Sequence, residues 1–251
     1  MLDILRTRLQ QGHRTTTWPD GPAPALPARF AGRPVVDRAA CDNCGKCAAV
    51  CPVGAIACAD GVQLDTGRCL FCRDCERACG RGAIRFTSAY RLAAARRGDL
   101  VVRDASGAFP PALVERARAR FGRSLKLRQV SAGGCNACEA DTNVLGTVGW
   151  DLGRFGIQFV ASPRHADGLL ITGPVTVNMR LALEKTYAAV PAPKIVIAAG
   201  ACAVAGGPYA GHAEQCDGAA GVVPVDLFIP GCPPHPITIL DGLLRLLGRL
   251  E

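Results

Sequence analysis

Two copies of one cysteine spacing constrain this chain more than any other feature. The spacing C-x-x-C-x-x-C-x-x-x-C occurs twice, and the second copy lies 28 residues after the first (Cys41, Cys44, Cys47, Cys51; Cys69, Cys72, Cys75, Cys79). The flanks repeat too, since Gly54-Ala55-Ile56 recurs as Gly82-Ala83-Ile84. Copied flanks together with copied cysteines indicate a duplicated structural unit.

The spacing predicts that each run wraps one face of a [4Fe–4S] cubane. Three thiolates two residues apart fit a tight loop, and the fourth, on the helix that follows the loop, points to the other cluster. This is the run of bacterial ferredoxins, matched here through Cys51-Pro52. We therefore expect two crossed ligand sets (Cys41, Cys44, Cys47 and Cys79; Cys69, Cys72, Cys75 and Cys51). Gly80 stands where the second run would carry its proline. A zinc site is disfavoured, because a zinc ribbon does not require eight thiolates in this duplicated spacing.

Composition indicates a cytoplasmic chain with metal-bound cysteines. The start, residues 1–6, has neither the apolar core nor the cleavage site of a signal peptide, and no run approaches the roughly 18 apolar residues of a membrane span. In a cytosolic protein clustered cysteines hold metal more often than disulfides. The net charge is +8, but only eleven Tyr and Phe are present and no basic stripe alternates with aromatics. Nucleic acid is therefore not expected as a partner.

The chain divides into four predicted segments. Residues 1–34 combine a short amphipathic helix, which must lie on protein or on a membrane surface, with a proline-rich strap. Residues 35–86 form the dicluster domain. Residues 87–124 are expected to be a helical linker, with its second helix over 112–121. Residues 125–251 alternate β-favouring apolar runs with helical stretches, which predicts a parallel sheet covered by helices. The helices are expected around 138–148, 175–190 and 236–249, and the strands at Leu125–Val130, Ile157–Val160, Leu169–Ile171, Ile195–Ile197 and Val222–Ile229.

Four further cysteines follow predicted strands of this last segment (Cys135, Cys138, Cys202, Cys232). Loops after the carboxyl ends of parallel strands converge at one sheet edge, so the four thiols suffice for a third [4Fe–4S] cluster. A thioredoxin-type CxxC would leave Cys202 and Cys232 unexplained. Dinucleotide binding is disfavoured, because no G-x-G-x-x-G follows the first strand.

The remaining cysteines, histidines and tryptophans are not expected to bind metal. Cys58 is expected to be an ordinary buried thiol, and Cys216 stays unassigned. His13, His212 and His235 are expected at the surface, and Trp18 and Trp150 as packing anchors.

Two family resemblances cover nearly the whole chain. Residues 125–251 resemble the small-subunit family shared by energy-converting (group 4) [NiFe] hydrogenases and the quinone-side cluster subunit of complex I. The motifs that carry this resemblance are Gly134-Cys135-Asn136-Ala137-Cys138-Glu139, Ser162-Pro163-Arg164-His165-Ala166-Asp167, Thr172-Gly173-Pro174-Val175-Thr176, Gly200-Ala201-Cys202 and Pro230-Gly231-Cys232-Pro233-Pro234. Residues 1–103 resemble the two-cluster ferredoxin subunit of formate hydrogenlyase and complex I. The resemblances imply an α/β chain, a ferredoxin-like dicluster domain fused to a flavodoxin-like domain.

The resemblances also imply a function. Such a chain would relay electrons through three [4Fe–4S] clusters to a catalytic large subunit, of the [NiFe] hydrogenase or the complex I 49-kDa type. It would lie peripherally on the inner face of the membrane, with membrane subunits and a ferredoxin-type or formate dehydrogenase donor as partners. Catalysis is expected elsewhere, because the sequence offers no candidate nickel ligands. The alternatives are electron delivery to quinone and a free-standing carrier. Cys135-x-x-Cys138 favours the hydrogenase branch, since the complex I relatives typically carry two adjacent cysteines here.

Three residues near these motifs are candidates for tuning the third cluster. Glu139 follows a predicted ligand, and its alternative role is to cap the helix that begins there. Arg164 and His165 match a hallmark of the family and are either tuning residues or structural turn residues. Asp141 stands where hydrogenase relatives commonly carry Glu, which weakens any proton-relay role at that position.

Overall fold

The computed structural model describes residues 2–59, 61–104 and 115–250. Two regions organise it: a ferredoxin-like region, formed by residues 34–86 and the short strand 101–102, and a sheet region, formed by residues 125–246. Among the described residues no helix is long and apolar enough to cross a membrane.

The ferredoxin-like region keeps the symmetry of the sequence repeat. Strand β1 (Pro34–Val36) pairs antiparallel with β4 (Ile84–Phe86), and β2 (Ile56–Ala57) pairs with β3 (Gln63–Asp65). Short helices α2 (Lys46–Ala49) and α3 (Asp74–Ala78) pack on each other. Each helix contains the third cysteine of its run, Cys47 or Cys75, and the fourth follows at or just beyond its end. The sequence had suggested that the fourth lies on the helix; a single turn is too short to include it.

The sheet region is a five-stranded parallel sheet. Its strands are β6 (Leu125–Ser131), β7 (Ile157–Phe159), β8 (Gly168–Thr172), β9 (Ile195–Ala199) and β10 (Leu227–Ile229), in the spatial order β7-β6-β8-β9-β10. Numbered from the first strand of the region, this is 2-1-3-4-5, the flavodoxin-like order. Every residue of the central β8 and β9 is buried, as expected for parallel strands covered on both faces. The α/β fold class predicted from the sequence is confirmed.

Helices of the sheet region follow the prediction closely, with two differences near the last two strands. They are α5 (Ala137–Val144), α6 (Val177–Ala189), α7 (Ala201–Ala205) and α8 (Pro236–Leu246). The five-residue α7 was not predicted, because it is too short to show a helical period. The last strand begins at Leu227 and not at Val222, since Pro224 in the preceding stretch lacks the N–H that a strand interior would use.

Residues 87–104 do not form the first helix of the linker that the sequence suggested. Ala94 exchanges backbone hydrogen bonds with Phe228 of β10 (2.9 and 2.8 Å), and β5 (Val101–Val102) pairs with β3 after a 3-10 turn. Arg91 lies 3.5 Å from the buried carboxylate of Asp241 in α8. These contacts connect the two regions. The second predicted helix is present as α4 (Glu115–Phe121); the first residues of its predicted range, 112–114, lie outside the described residues.

The amino-terminal segment contains one exposed and one anchored part. Helix α1 (Leu2–Gln11) buries none of its residues, and Leu2 and Leu9 are 82% and 83% exposed. The strap beyond it is fixed at Trp18, which is 4% exposed and donates from Nε1 to the Tyr90 hydroxyl (3.1 Å). Arg154 donates to the Thr16 and Trp18 carbonyls at 2.6 Å each. The strap is therefore part of the folded structure, and the packing role predicted for Trp18 is confirmed.

Candidate iron–sulfur sites

Two recesses in the ferredoxin-like region are each lined by four cysteines. The first cysteine set consists of Cys41, Cys44, Cys47 and Cys79, and the second of Cys51, Cys69, Cys72 and Cys75. In each set one thiol comes from the other run, because α2 and α3, just after which Cys51 and Cys79 lie, pack on each other. The structure thus brings together the same groups of residues that the crossed ligand pattern requires.

Backbone N–H groups around these recesses point at sulfur atoms. Ala55 donates to Cys51 Sγ at 3.2 Å, Phe71 to Cys69 Sγ at 3.2 Å and Ala83 to Cys79 Sγ at 3.3 Å. Equivalent loop positions in the two copies, Asn43 and Phe71, take the left-handed conformation, with φ 54° and 58°. In the second copy the residue in this conformation, Phe71, is the one whose amide donates to Cys69 Sγ. Amides directed at ligand sulfurs are the surroundings in which proteins hold iron–sulfur clusters.

The thiols themselves need a nearby positive charge to ionise. Burial raises the pKa of Cys69 to about 12 and that of Cys75 to about 11, and the neighbouring sulfurs of the second set push in the same direction. In the first set burial, followed by the nearby Cys58 thiol, raises the pKa of Cys47 to about 12. A coordinated thiol is deprotonated by the charge of the metal. Four crowded, apolar thiols therefore suit a cationic iron–sulfide core as ligands better than they suit a role as free nucleophiles.

The third cysteine set lies at the carboxyl edge of the parallel sheet. Cys135 and Cys138 stand at the start of α5 after β6, Cys202 lies in α7 after β9, and Cys232 follows β10. Burial, followed by the charges of Cys202, Glu139, Cys232 and Cys135, raises the pKa of Cys138 to about 12. The four thiols come from three loops, yet they are close enough to perturb one another.

Glycines make room for these sulfurs. A Cβ on Gly200 would lie 2.5 Å from Cys138 Sγ, and one on Gly207 would lie 2.7 Å from Cys202 Sγ. Both glycines have positive φ, 94° and 57°. The backbone therefore passes closer to the thiols than any side-chain-bearing residue allows. Within residues 2–59, 61–104 and 115–250, no three Cys, His, Asp or Glu side chains are grouped as on a single metal ion; a cubane instead distributes its four thiolates over separate iron atoms.

Glu139 connects the third set to the sheet. Its Oε1 accepts hydrogen bonds from Ser131 Oγ and Thr172 Oγ1, both at 2.6 Å, and the residue is 6% exposed. Burial opposes ionisation, but these two donors prevail and lower the pKa of Glu139. A hydrogen bond from the residue's own backbone N–H, in the first turn of α5, also lowers this pKa, in keeping with the capping role that the sequence suggested for the side chain. The side chain fixes the start of the helix, and with it Cys138, to the ends of β6 and β8.

Arg164 and His165 lie away from the cysteines. They form a short exposed turn just before β8, whose first residue, Gly168, is in register with Leu127 in the first half of β6. The cysteine loops follow the opposite, carboxyl ends of the strands. Ser162 Oγ accepts from the Arg164 amide and stabilises the turn. The structure favours the structural role for both residues.

Two residues near the sites were not recognised in the sequence. His235, expected at the surface, is half-buried: its Nδ1 accepts from the Ile237 amide, and its ring stacks edge-on against Phe30 and Trp150. Cys58 lies with its sulfur 4.0 Å from Cys47 Sγ. No local sequence motif marks either contact. The place of Cys58 beside the first set could have been inferred only by comparing the two copies of the repeat.

Comparison with known proteins identifies the family. Residues 135–246 match the model of the NADH ubiquinone oxidoreductase 20 kDa subunit, and residues 33–56 match a 4Fe-4S binding domain. The chain is 42% identical over 130 residues to a probable membrane-bound hydrogenase subunit, mbhJ, of Pyrococcus furiosus, covering 52% of this chain and 78% of the relative. It belongs to the 20 kDa subunit family. The predicted family resemblance is thereby confirmed.

Other members of the 20 kDa subunit family are similar to this chain at the same level. Formate hydrogenlyase subunit 7 of Escherichia coli is 42% identical over 159 residues, which cover 59% of this chain and 62% of that one. An NADH-quinone oxidoreductase subunit of Heliobacterium modesticaldum is 40% identical over 119 residues, 47% and 68% of the two chains. The chain spans less than two thirds of the formate hydrogenlyase subunit.

Among solved structures, a chain of an archaeal membrane-bound sulfane sulfur reductase matches with a TM-score of 0.45 and 35% identity, covering 51% of this chain and 70% of that one. A chain of an NAD⁺-reducing [NiFe]-hydrogenase matches with a TM-score of 0.41 and 23% identity, covering 51% and 94%.

Proposed function

We propose that this chain is an electron-transfer subunit that holds three [4Fe–4S] clusters and serves the large subunit of a membrane-associated, hydrogenase-like complex. The first, second and third cysteine sets would each hold one cluster. Bound there, such clusters supply one-electron transfer at potentials set by their surroundings. The observation that carries the proposal is the presence of three four-cysteine sets in one folded chain; we infer that they form a row, with the second set in the middle.

The second set is the neighbour of the third. A cavity of about 270 Å³ separates them, lined on one side by Leu70 and Phe71, within the loop of the second set, and on the other by Cys232 and Pro233. Close by, a Cβ on Gly67 would lie 2.8 Å from Val204 Cγ1 in α7, the helix that carries Cys202. The segment leading into the loop of the second set therefore packs on α7, and the loop itself shares a cavity with the segment that carries Cys232.

The outer ends of the row suggest where partners bind. At one end, Cys135 and Cys232 of the third set are exposed at the sheet edge, and we expect the large subunit to cover them. At the other end, an open cavity of about 330 Å³ beside the first set is lined by Arg38, Cys41 and Asn43. We expect the electron donor, a ferredoxin-type protein or a formate dehydrogenase, to dock there.

Fusion of the two regions fixes the neighbour relation between the second and third sets. Ala94 bonds to β10 of the sheet region, and β5 bonds to β3 of the ferredoxin-like region. The placement of the second set beside the third therefore does not depend on a docking equilibrium. As separate domains we propose residues 35–86 for the first two sites and residues 125–251 for the third. We further propose that the chain lies peripherally on the cytoplasmic face of the membrane, together with membrane subunits.

A complex I-like role is the second candidate, because a relative named as an NADH-quinone oxidoreductase subunit is 40% identical. In that role electrons would pass from the third site to quinone. The spacing Cys135-x-x-Cys138 favours the hydrogenase branch; otherwise the two roles share the chain and its sites and differ in the large subunit.

One preparation tests both the sites and the role. The chain would be expressed with the proteins encoded beside it and purified anaerobically. We expect about twelve iron and twelve sulfide per chain and hydrogen evolution from a reduced dye. Far fewer iron atoms, or zinc in their place, would refute the cluster assignment. A full iron content with quinone reduction and no hydrogen evolution would leave the sites standing and favour the second candidate.

A further inference from the structure

A fifth thiol lies beside the first cysteine set. Cys58 follows β2 and is half-buried, and its sulfur is 4.0 Å from Cys47 Sγ. That distance is within reach of an S–H···S hydrogen bond. The first set already contains four cysteines, so Cys58 is not needed as a ligand. Its place beside one particular ligand sulfur requires another explanation.

The sequence repeat supplies the comparison. With the 28-residue shift, Cys58 corresponds to Phe86 and Asn43 corresponds to Phe71. Phe71 and Phe86 line the second set and pack edge-on, with ring centroids 6.0 Å apart. At the same two positions beside the first set stand a thiol and an amide, and Asn43 Oδ1 lies 3.7 Å from Cys41 Sγ. The duplicated unit thus places polar groups on one set of ligand sulfurs and aromatic rings on the other.

We propose that Cys58 is a tuning residue for the first site: its S–H donates a hydrogen bond to Cys47 Sγ and raises the reduction potential there. The inference rests on the proposed function, since it presumes clusters in both sets. Reduction adds negative charge that is shared with the ligand sulfurs. A donor on such a sulfur stabilises the reduced state more than the oxidised state, which raises the potential. The rings of Phe71 and Phe86 carry no comparable donor.

The hydrogen bond would favour electron uptake at the first site. A donor would find its electron acceptor there, beside the cavity lined by Arg38, Cys41 and Asn43. A higher potential at the first site favours the uptake of an electron from that side.

Redox titration of the purified, anaerobic protein, followed by electron paramagnetic resonance, tests the inference. Cys58→Val removes the donor and keeps a similar volume, whereas Cys58→Ser keeps an O–H donor. Cys216→Ala is the matched control, because Cys216 is also outside the three sets and packs in the core of the sheet region. The signal that is lost in Cys44→Ala identifies the first site.

We expect Cys58→Val to shift the midpoint potential of the first-site signal downward and to leave the other two unchanged. Cys58→Ser should stay nearer to the parent protein, and Cys216→Ala should match it. An unchanged first-site potential in Cys58→Val, or equal shifts of all three signals, would overturn the inference. Equal loss of iron from both Cys58 variants would make Cys58 a packing residue and overturn it as well. In contrast, a parent protein without clusters would refute the proposed function itself.

Discussion

The two regions gather cysteines in opposite ways. In the ferredoxin-like region all eight thiols of the first two sets come from residues 41–79, and the loop spacing itself brings them together. In the sheet region the four thiols of the third set come from residues 135–232, and only the parallel order of β6, β9 and β10 brings their loops to one edge. The first kind of site depends on a local motif, and the second depends on an entire domain fold.

This difference determines which structural changes should disrupt each kind of site. A motif-built site tolerates changes in the surrounding fold as long as its loop and short helix persist. A fold-built site fails when any of its three loops moves, even if every cysteine is kept. The connection through Ala94 and β5 adds a second dependence, because the electron path crosses from one kind of site to the other.

Removing one ligand of the third set should give the largest effect. In Cys138→Ala we expect iron to fall by about a third, from about twelve to about eight per chain, with the first two signals retained. Hydrogen evolution by the complex should be lost, because the row then ends before the large subunit. Iron analysis and electron paramagnetic resonance measure the first two outcomes. Loss of all three signals would show that the regions do not fold independently and would break the comparison.

A substitution at Gly200, which is not a ligand, tests whether the third site depends on the fold around its cysteines. Gly200→Ala places a Cβ 2.5 Å from Cys138 Sγ at a φ of 94°, which we expect to cost about 2–4 kcal/mol from strain and overlap. The third-site signal should weaken while the first two stay. Gly149→Ala is the control in the same region, because a Cβ there meets nothing within 4 Å and its φ is not positive. Equal behaviour of the two variants would refute the claim that the third site depends on close backbone approach.

The sequence predicts the two kinds of site unequally well. The crossed sets could be read from spacing alone, since ligand geometry restricts the loop. The third set required the strand assignment, which succeeded because β8 and β9 contain continuous apolar runs, β6 spaces its apolar residues along a β-favouring stretch, and helical stretches separate the strands. The pairing of Ala94 with Phe228 could not be predicted, because a one-residue bridge carries no periodicity. The surroundings of His235 were missed for a similar reason: its aromatic neighbours, Phe30 and Trp150, come from distant parts of the chain.

The smallest expected effect concerns the support of the second site. Arg97 donates to both carboxylate oxygens of Asp65, at 2.7 Å each, and so ties the end of β3, just before the loop of the second set, to the turn that leads into β5. A half-buried, bidentate pair is worth more than an exposed one, so Arg97→Ala should cost about 1 kcal/mol. Arg96→Ala, which breaks the more exposed pair with Asp99, should cost about 0–0.5 kcal/mol.

Hydrogen exchange measures this directly. The Thr66 amide donates to the Leu100 carbonyl at 2.9 Å and reports on opening between β3 and β5. Its protection should fall about fivefold in Arg97→Ala and change little in Arg96→Ala. Amides of β8 and β9 should keep their protection in both variants, because the sheet region does not use this pair. If protection fell equally in both regions, they would open as a single unit, and the contrast between a motif-built and a fold-built site would not extend to their stability.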